Sequence, residues 1–284
     1  MRKGRIAAVM VAGLAAAGAA KAQDGFWANW GKQVDEALAS QPKWVSPLAT
    51  SSGAISQRLR TDFVRQITPS GTTTWNYGGG RGVNLIPWHK VEIGFNLPPY
   101  FQHNTPSAED GFGDFAINVK YRIAAGNAEH GNYVVSAALG GTFPTGSFKN
   151  GSARGSVTPT IYGGRFFGNF TVQSNVGASL PVGDTATLGR SVTWNIGSQY
   201  RINIASHAWK LWPEIESNST FYHGGPNDGR TQDFLTLGMT VNGIQLNRTP
   251  GSRLRVTFGT GMQIATTHFH TYNHAVILSS RCNF

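Results

Sequence analysis

The sequence predicts an all-β protein: a transmembrane, antiparallel, up-and-down β-barrel of about 12 strands, within a range of about 10 to 14, with a short N-terminal periplasmic helical segment. Three observations carry this expectation. Met1-Arg2-Lys3-Gly4-Arg5, an apolar Ala/Val/Gly-rich run and the Ala20-Lys21-Ala22 site read as a signal peptide cleaved after Ala22. From Ser56 onward, apolar and polar residues alternate with the period of a strand. The chain closes on an alternating segment, His274 to Phe284, in which Val276, Leu278 and Phe284 share one parity. Export followed by short amphipathic strands, with no long apolar helix after the leader, points to the bacterial outer membrane. The expected organisation is a signal peptide over 1–22, a periplasmic extension over 23–54 and a barrel over 55–284.

Composition agrees with one barrel better than with two globular domains. The 284 residues include 36 Gly and only 13% charged residues, which suits strands that avoid charge on one face and bend at glycine. The mean hydropathy of −0.23 is bland because alternating strands average out. Of the net charge of +10, Arg2, Lys3, Arg5 and Lys21 belong to the leader, leaving about +6. The remaining basic residues are scattered singly, so a nucleic-acid partner is not expected. Cys282 is the sole cysteine, which excludes an internal disulfide, and its parity makes it a small apolar side chain facing outward.

Taken in order, Trp27, Trp30, Val34 and Leu38 fall at helical spacing and predict a helix within Gly25–Ser40. Pro42, Pro47 and Thr50-Ser-Ser-Gly53 read as a linker. A poorly ordered N-terminal extension with its helix packed on the barrel base is expected; a periplasmic plug or a membrane-surface helix is the alternative. Strands are expected at 56–67, 72–86, 89–98, 111–123, 132–143, 156–167, 170–181, 189–202, 208–222, 232–246, 252–267 and 274–284. The first three are the weakest, because Pro87 and Gly78-Gly-Gly80 interrupt the alternation. Connections assigned to the periplasmic side, such as Pro87-Trp88 and Gly168-Asn169, are mostly tight. Those assigned outside, such as Pro99 to Asp110 and Pro144 to Gly155, are mostly longer and polar.

Charge near the midplane belongs inside such a barrel, since a charged side chain on the lipid face costs roughly 2–4 kcal/mol. That rule assigns Arg58, Arg60, Asp62, Lys90, Glu92, Asp114, Lys120, Arg122, Arg201, Glu214, Glu216, Arg253, Arg255 and Arg281 to the lumen wall, which then carries more cations than anions. Other groups carry weaker signals. His268, His270 and His274 share one outer loop, but no carboxylate or cysteine joins them, so solvated loop histidines are the simpler account. His223 and Asp228 lack any sequence cue for a partner serine. Glu214 and Glu216 face the same way on one strand, about 7 Å apart at Cα, and read as lumen charge compensated by neighbouring cations. Gly78-Gly-Gly-Arg-Gly82 lacks the strand-to-helix context of a phosphate loop and reads as a bend or bulge.

Several stretches resemble a known family. They are Leu85-Ile-Pro-Trp88 with Val91 to Tyr100, Gly111-Phe-Gly-Asp114 leading to Val119-Lys-Tyr-Arg122, Thr142 to Gly146, Trp212-Pro-Glu-Ile-Glu216, and Leu278-Ser-Ser-Arg281. Together, over about residues 80–284, they are similar to the outer-membrane proteins grouped under the meta-pathway of phenol degradation. The resemblance implies a barrel and uptake of aromatic or other hydrophobic compounds, and it implies no defined binding residues. Cys282 departs from the aromatic or bulky apolar residue that often precedes a terminal Phe in barrels.

The resulting expectation is a non-enzymatic barrel for passive passage of small solutes, with anions favoured by a cationic lumen and no cofactor or metal required. Expected partners are outer-membrane lipid and lipopolysaccharide, the barrel-assembly machinery at the C-terminal strand, and small-molecule solutes. The alternatives are a non-conducting structural or adhesive barrel and an outer-membrane lipid-modifying enzyme.

Overall fold

The computed structural model describes residues 25–147, 149–183, 185–204, 208–247 and 253–284; the expected leader lies outside the described residues. Helix α1, Phe26–Ala39, comes first. A strap of irregular backbone from Ser40 to Gln57 follows, and then a closed antiparallel barrel of 12 strands. The strands are β1 (Arg58–Ile67), β2 (Thr73–Gly78 and Gly82–Trp88), β3 (Val91–Asn96 and Tyr100–His103) and β4 (Gly111–Phe112 and Phe115–Gly126). Next come β5 (Tyr133–Phe143), β6 (Ser156–Phe167), β7 (Phe170–Pro181) and β8 (Arg190–Tyr200 and Ile202–Asn203). The last four are β9 (Lys210–His223), β10 (Thr231–Gln245), β11 (Arg255–Ala265) and β12 (His274–Asn283). Each strand pairs with its sequence neighbours. The sheet closes where β12 returns to β1, from Arg58↔Asn283 to Ile67↔His274. The end carrying α1, Arg58 and Asn283 is the base; the opposite end is the rim.

Alternation sets what faces where. Leu139, Ile161, Trp194 and Leu278 point outward and are 57%, 64%, 50% and 55% exposed, whereas Gln173, Thr236 and Arg281 point inward and are at most 2% exposed. The barrel is therefore apolar outside and polar inside, the reverse of a soluble fold. A closed sheet also leaves no backbone edge to satisfy. Outward aromatics gather at the ends. Trp88, Tyr133, Phe167, Phe170 and Tyr200 ring the base. Toward the rim, Phe63, Tyr77, Tyr100 and Phe112 form a ladder with ring centroids 5.0–6.3 Å apart.

The first strands are irregular for a local reason. Gly78, Gly79 and Gly80 all take positive φ, so the chain leaves the ladder between the two halves of β2. The facing chain carries Pro98 and Pro99, which have no N–H to offer. Pairing resumes beyond them, with Tyr100–His103 against Thr74–Tyr77. The expected outer loop Pro99 to Asp110 is thus strand over its first part. A second interruption sits between β6 and β7, where the pairs between Gly177↔Thr160 and Leu180↔Val157 are missing beside Pro159.

Candidate functional site in the lumen

The strap is not a linker outside the barrel. Residues 40–57 run into the lumen, where an irregular segment must find a partner for every backbone group. Pro42 and Pro47 prevent a helix, and the wall supplies the missing hydrogen bonds instead. The Glu216 carboxylate accepts three successive amide N–H groups, from Leu48 at 2.9 Å, Ala49 at 3.0 Å and Thr50 at 2.5 Å. Strap carbonyls are met by wall donors: Gln173 Nε2 donates to Val45 O at 2.9 Å, Arg60 Nη2 to Leu48 O at 2.5 Å and Asn175 Nδ2 to Ser51 O at 3.0 Å. Lys120 Nζ donates to Ser52 O at 3.0 Å and Ser136 Oγ to Gly53 O at 2.7 Å. Arg281 donates to Pro47 O at 3.1 Å and also to Ser46 O.

Glycines on the inward parity make the room. A Cβ at Gly238, Gly259 or Gly261 would lie 2.5, 2.6 or 2.7 Å from a Leu48 methyl carbon, and Leu48 is 1% exposed. Gly164 leaves space for the Trp44 ring, and Gly197 for the Pro47 ring. These positions carry no side chain because another part of the chain occupies the volume one would need.

Helix α1 covers the base. Val34 and Ala37 bury against Ile55 and Ile86, with Trp30 and Leu38 beside them, as the helical spacing of these residues requires. Trp30 Nε1 donates to Ile86 O and Gln33 Nε2 to Pro87 O, each at 2.8 Å. Arg122 donates to Ala37 O at 2.7 Å, and Arg253 pairs with Asp35 at 2.6 Å.

The charged residues expected on the wall separate into three places. Arg58, Arg60, Asp62, Glu92, Lys120, Arg122, Glu214, Glu216 and Arg281 face inward among strap, helix and wall. Arg60 and Arg81 both pair with Asp62, at 2.8 and 3.1 Å, and Lys120 pairs with Glu92 at 2.9 Å. Lys90, Arg201, Arg253 and Arg255 belong instead to the base. Lys90 is exposed in the β2–β3 turn, Arg255 is exposed at the start of β11, and Arg201 lies over the Phe166 ring at 4.8 Å. Parity alone could not make this distinction, because it gives the face and not the depth. Asp114 is a rim residue that accepts the Gly146 N–H at 2.8 Å and the Ser152 N–H at 2.7 Å. Burial pushes its carboxyl up, but the Ser152 hydroxyl and the surrounding amides outweigh this and hold it below the ordinary carboxylate range.

The two glutamates on β9 lie within electrostatic reach of Arg281 and Arg81, but their direct partners are hydrogen-bond donors. Glu216 is met by strap amides, while Glu214 accepts Gln199 Nε2 at 2.6 Å and Thr240 Oγ1 at 3.1 Å. Sequence reasoning missed the neutral part of the site, namely Gln173, Asn175, Gln199, Asn218 and the inward glycines. A signal was present, since Gly238, Gly259 and Gly261 share the inward parity of adjacent strands.

Among the described residues, two cavities bear on this site. One of about 340 Å³ lies at the base between α1 and the strap, reaching Trp44, Thr257 and Arg281. The other, of about 260 Å³, lies beside the strap against β1–β6 and reaches Arg81, Asn118, Lys120 and Tyr162. Near the rim, Tyr272 folds inward, stacks on Phe234 at 4.1 Å between centroids, and donates its hydroxyl to Gln263 at 2.9 Å. His270 is engaged within its own loop, by Thr267 O at 2.8 Å and Asn273 Oδ1 at 2.9 Å. Asp228 accepts the Gly224 N–H at 2.6 Å. Among the described residues, no group of three or more His, Cys, Asp and Glu side chains is gathered as a metal site.

No curated protein matches this chain significantly. A family model, "Putative MetA-pathway of phenol degradation", matches residues 49–267, a span that runs from the middle of the strap through β11. An apolar-faced barrel of 12 strands with its N-terminal strap in the lumen is thus the form taken here by a chain that belongs to the family described as "Putative MetA-pathway of phenol degradation".

Proposed function

We propose that this protein is an outer-membrane barrel through which small solutes, including aromatic compounds, pass without energy input, along a path narrowed by the strap. The observation that carries this reading is the combination of an apolar exterior with a polar lumen that holds cavities beside and below the strap. An outward face this apolar suits lipid, because soluble monomers rarely expose contiguous apolar patches of more than a few hundred Å². The aromatic ends suit the two interfaces of a bilayer. The family description supports a link to phenol degradation. In this reading the protein is not an enzyme: the Glu216, Gln173 and Lys120 side chains are committed to holding the strap.

The strap favours a narrow, carrier-like path over a wide aqueous pore. Planar-bilayer recording on the refolded protein tests this, with heat-modifiable migration as the check of folding. The intact chain should show small or brief openings, and a chain lacking 23–53 should show larger, steady ones. Silence from both folded barrels would instead establish a non-conducting structural barrel.

A further inference from the structure

The two cavities meet at a single described side chain. Arg58 is the one residue that lines both the chamber against β1–β6 and the cavity at the base. Its Nη1 donates to Ser46 Oγ of the strap at 2.8 Å, and its buried Nε has no hydrogen-bond partner among the described residues. A buried guanidinium N–H left without an acceptor is costly, and an anion is the natural group to supply one. Above it, Arg81 commits Nε to Asp62 at 3.1 Å, while its Nη nitrogens make no hydrogen bond to a described residue. The Arg81 side chain is 29% exposed and lines the chamber.

The charge balance points the same way. Arg58, Arg60, Arg81 and Lys120 line the chamber, against the carboxylates of Glu92 and of Asp62 behind Arg60 and Arg81. The Glu216 carboxylate also acts on Arg81, and the balance stays positive, held near a low-dielectric wall where it acts strongly on a solute. The remaining lining is neutral: hydrogen-bonding side chains such as Asn84, Asn96, Asn118 and Thr158, together with Ile117 and glycines, and the Tyr162 ring under Lys120 at 5.2 Å. A cavity of about 150 Å³ is enough for benzene, so the 260 Å³ chamber has room for one ring bearing a charged group.

We propose that this chamber is a binding site for a small organic monocarboxylate of about benzoate size. Arg81 and Arg58 contact the carboxylate in turn, and the Arg58–Ser46 contact is the septum it crosses to reach the base cavity. This rests on the transport reading above and names its substrate class.

Calorimetric titration of the refolded full chain in detergent with benzoate, and with benzyl alcohol as the uncharged counterpart, tests the site without requiring transport. Benzoate should bind, more weakly as salt is raised, and Arg58→Gln and Arg81→Gln should each weaken it by at least about tenfold. Thr158→Asp places a carboxylate in the chamber at a position outside the strap contacts and should abolish binding while leaving a heat-modifiable barrel. Equal binding of benzoate and benzyl alcohol, or unchanged benzoate binding in Thr158→Asp, overturns the proposal. Proteoliposome uptake then separates the two readings. Benzoate binding with no flux of any solute keeps the site and removes the transport reading. Flux of neutral solutes with no benzoate binding does the opposite.

Discussion

The two halves of the lumen wall meet the same strap by different means. On β7–β11 the contacts come from Gln173, Asn175, the Glu216 carboxylate and a floor of glycine, and the strap packs flush against them. On β1–β6 the wall is ionic, with the Arg60–Asp62–Arg81 and Lys120–Glu92 groups, and a chamber is left between wall and strap. The difference follows from what each residue type needs. Glycine and short amides allow close approach and are satisfied by backbone partners. Long cations paired with carboxylates keep their own volume and meet the strap only at their tips. The first half holds the strap at close packing; the second also holds it, through Arg60, Lys120 and Ser136, and leaves a chamber beside it.

Breaking the close-packed half should give the largest effects. Glu216→Ala removes the acceptor of three buried N–H groups, two of them on residues with 1% and 0% exposure. A hydrogen bond to a charged group contributes about 1.5–3 kcal/mol, and a stranded buried donor costs a similar amount, so a loss of about 4 kcal/mol in urea unfolding is expected. The same variant should raise single-channel conductance, because the strap loses its anchor. A destabilised barrel with unchanged conductance would mean that the strap is held mainly from β1 and β12.

Leu48→Ala comes next, at about 3 kcal/mol for a fully buried leucine. Its partner experiment is sharper. Gly261→Ala forces a methyl group toward Leu48 and should cost about 1–2 kcal/mol, and most of that should vanish in the Leu48→Ala background. Additive losses in the double mutant would show that Gly261 is required by the strand and not by the strap. Asn118→Ala in the chamber half should by contrast change stability by less than about 0.5 kcal/mol, since it borders open space. A cost equal to that of Leu48→Ala would remove the distinction between the halves.

The barrel itself was legible because lipid and lumen impose opposite demands on alternate residues. The runs Phe115, Ile117, Val119, Tyr121 against Ala116, Asn118, Lys120, Arg122 leave one solution for the faces. Helix α1 was legible from Trp30, Val34 and Leu38 for the same reason. The strap was not, because Pro42 to Gly53 has no periodicity and its order comes from partners 12 to 235 positions away, such as Arg60 and Arg281. The depth of a charge was equally hidden. Lys90 and Lys120 share a parity, yet one lies in a turn and the other under the strap. Inward glycine on neighbouring strands was the available clue to an occupant, and it reads as one only once the strands are in register.

The smallest effect belongs to the rim, which neither half of the lumen controls. Asp114 gathers the β5–β6 loop through the amides of Gly146 and Ser152 and the Ser152 hydroxyl. Its carboxyl is held below the ordinary range, so the carboxylate's contribution to loop order is fully present above the unfolded pKa and is lost as pH falls through the lowered folded value. Hydrogen–deuterium exchange at 144–147 and 149–155 should therefore be slow at neutral pH and rise only in acid, beyond the chemical pH dependence of exchange itself. Asp114→Asn should give the fast, pH-independent protection factor at neutral pH. Protection across the strap at 44–55 should not follow, because Glu216 and Lys120 hold it deeper in the barrel. If strap and loop lose protection together in Asp114→Asn, rim and lumen form one cooperative unit and the comparison between the two wall halves has to be redrawn around the β5–β6 loop.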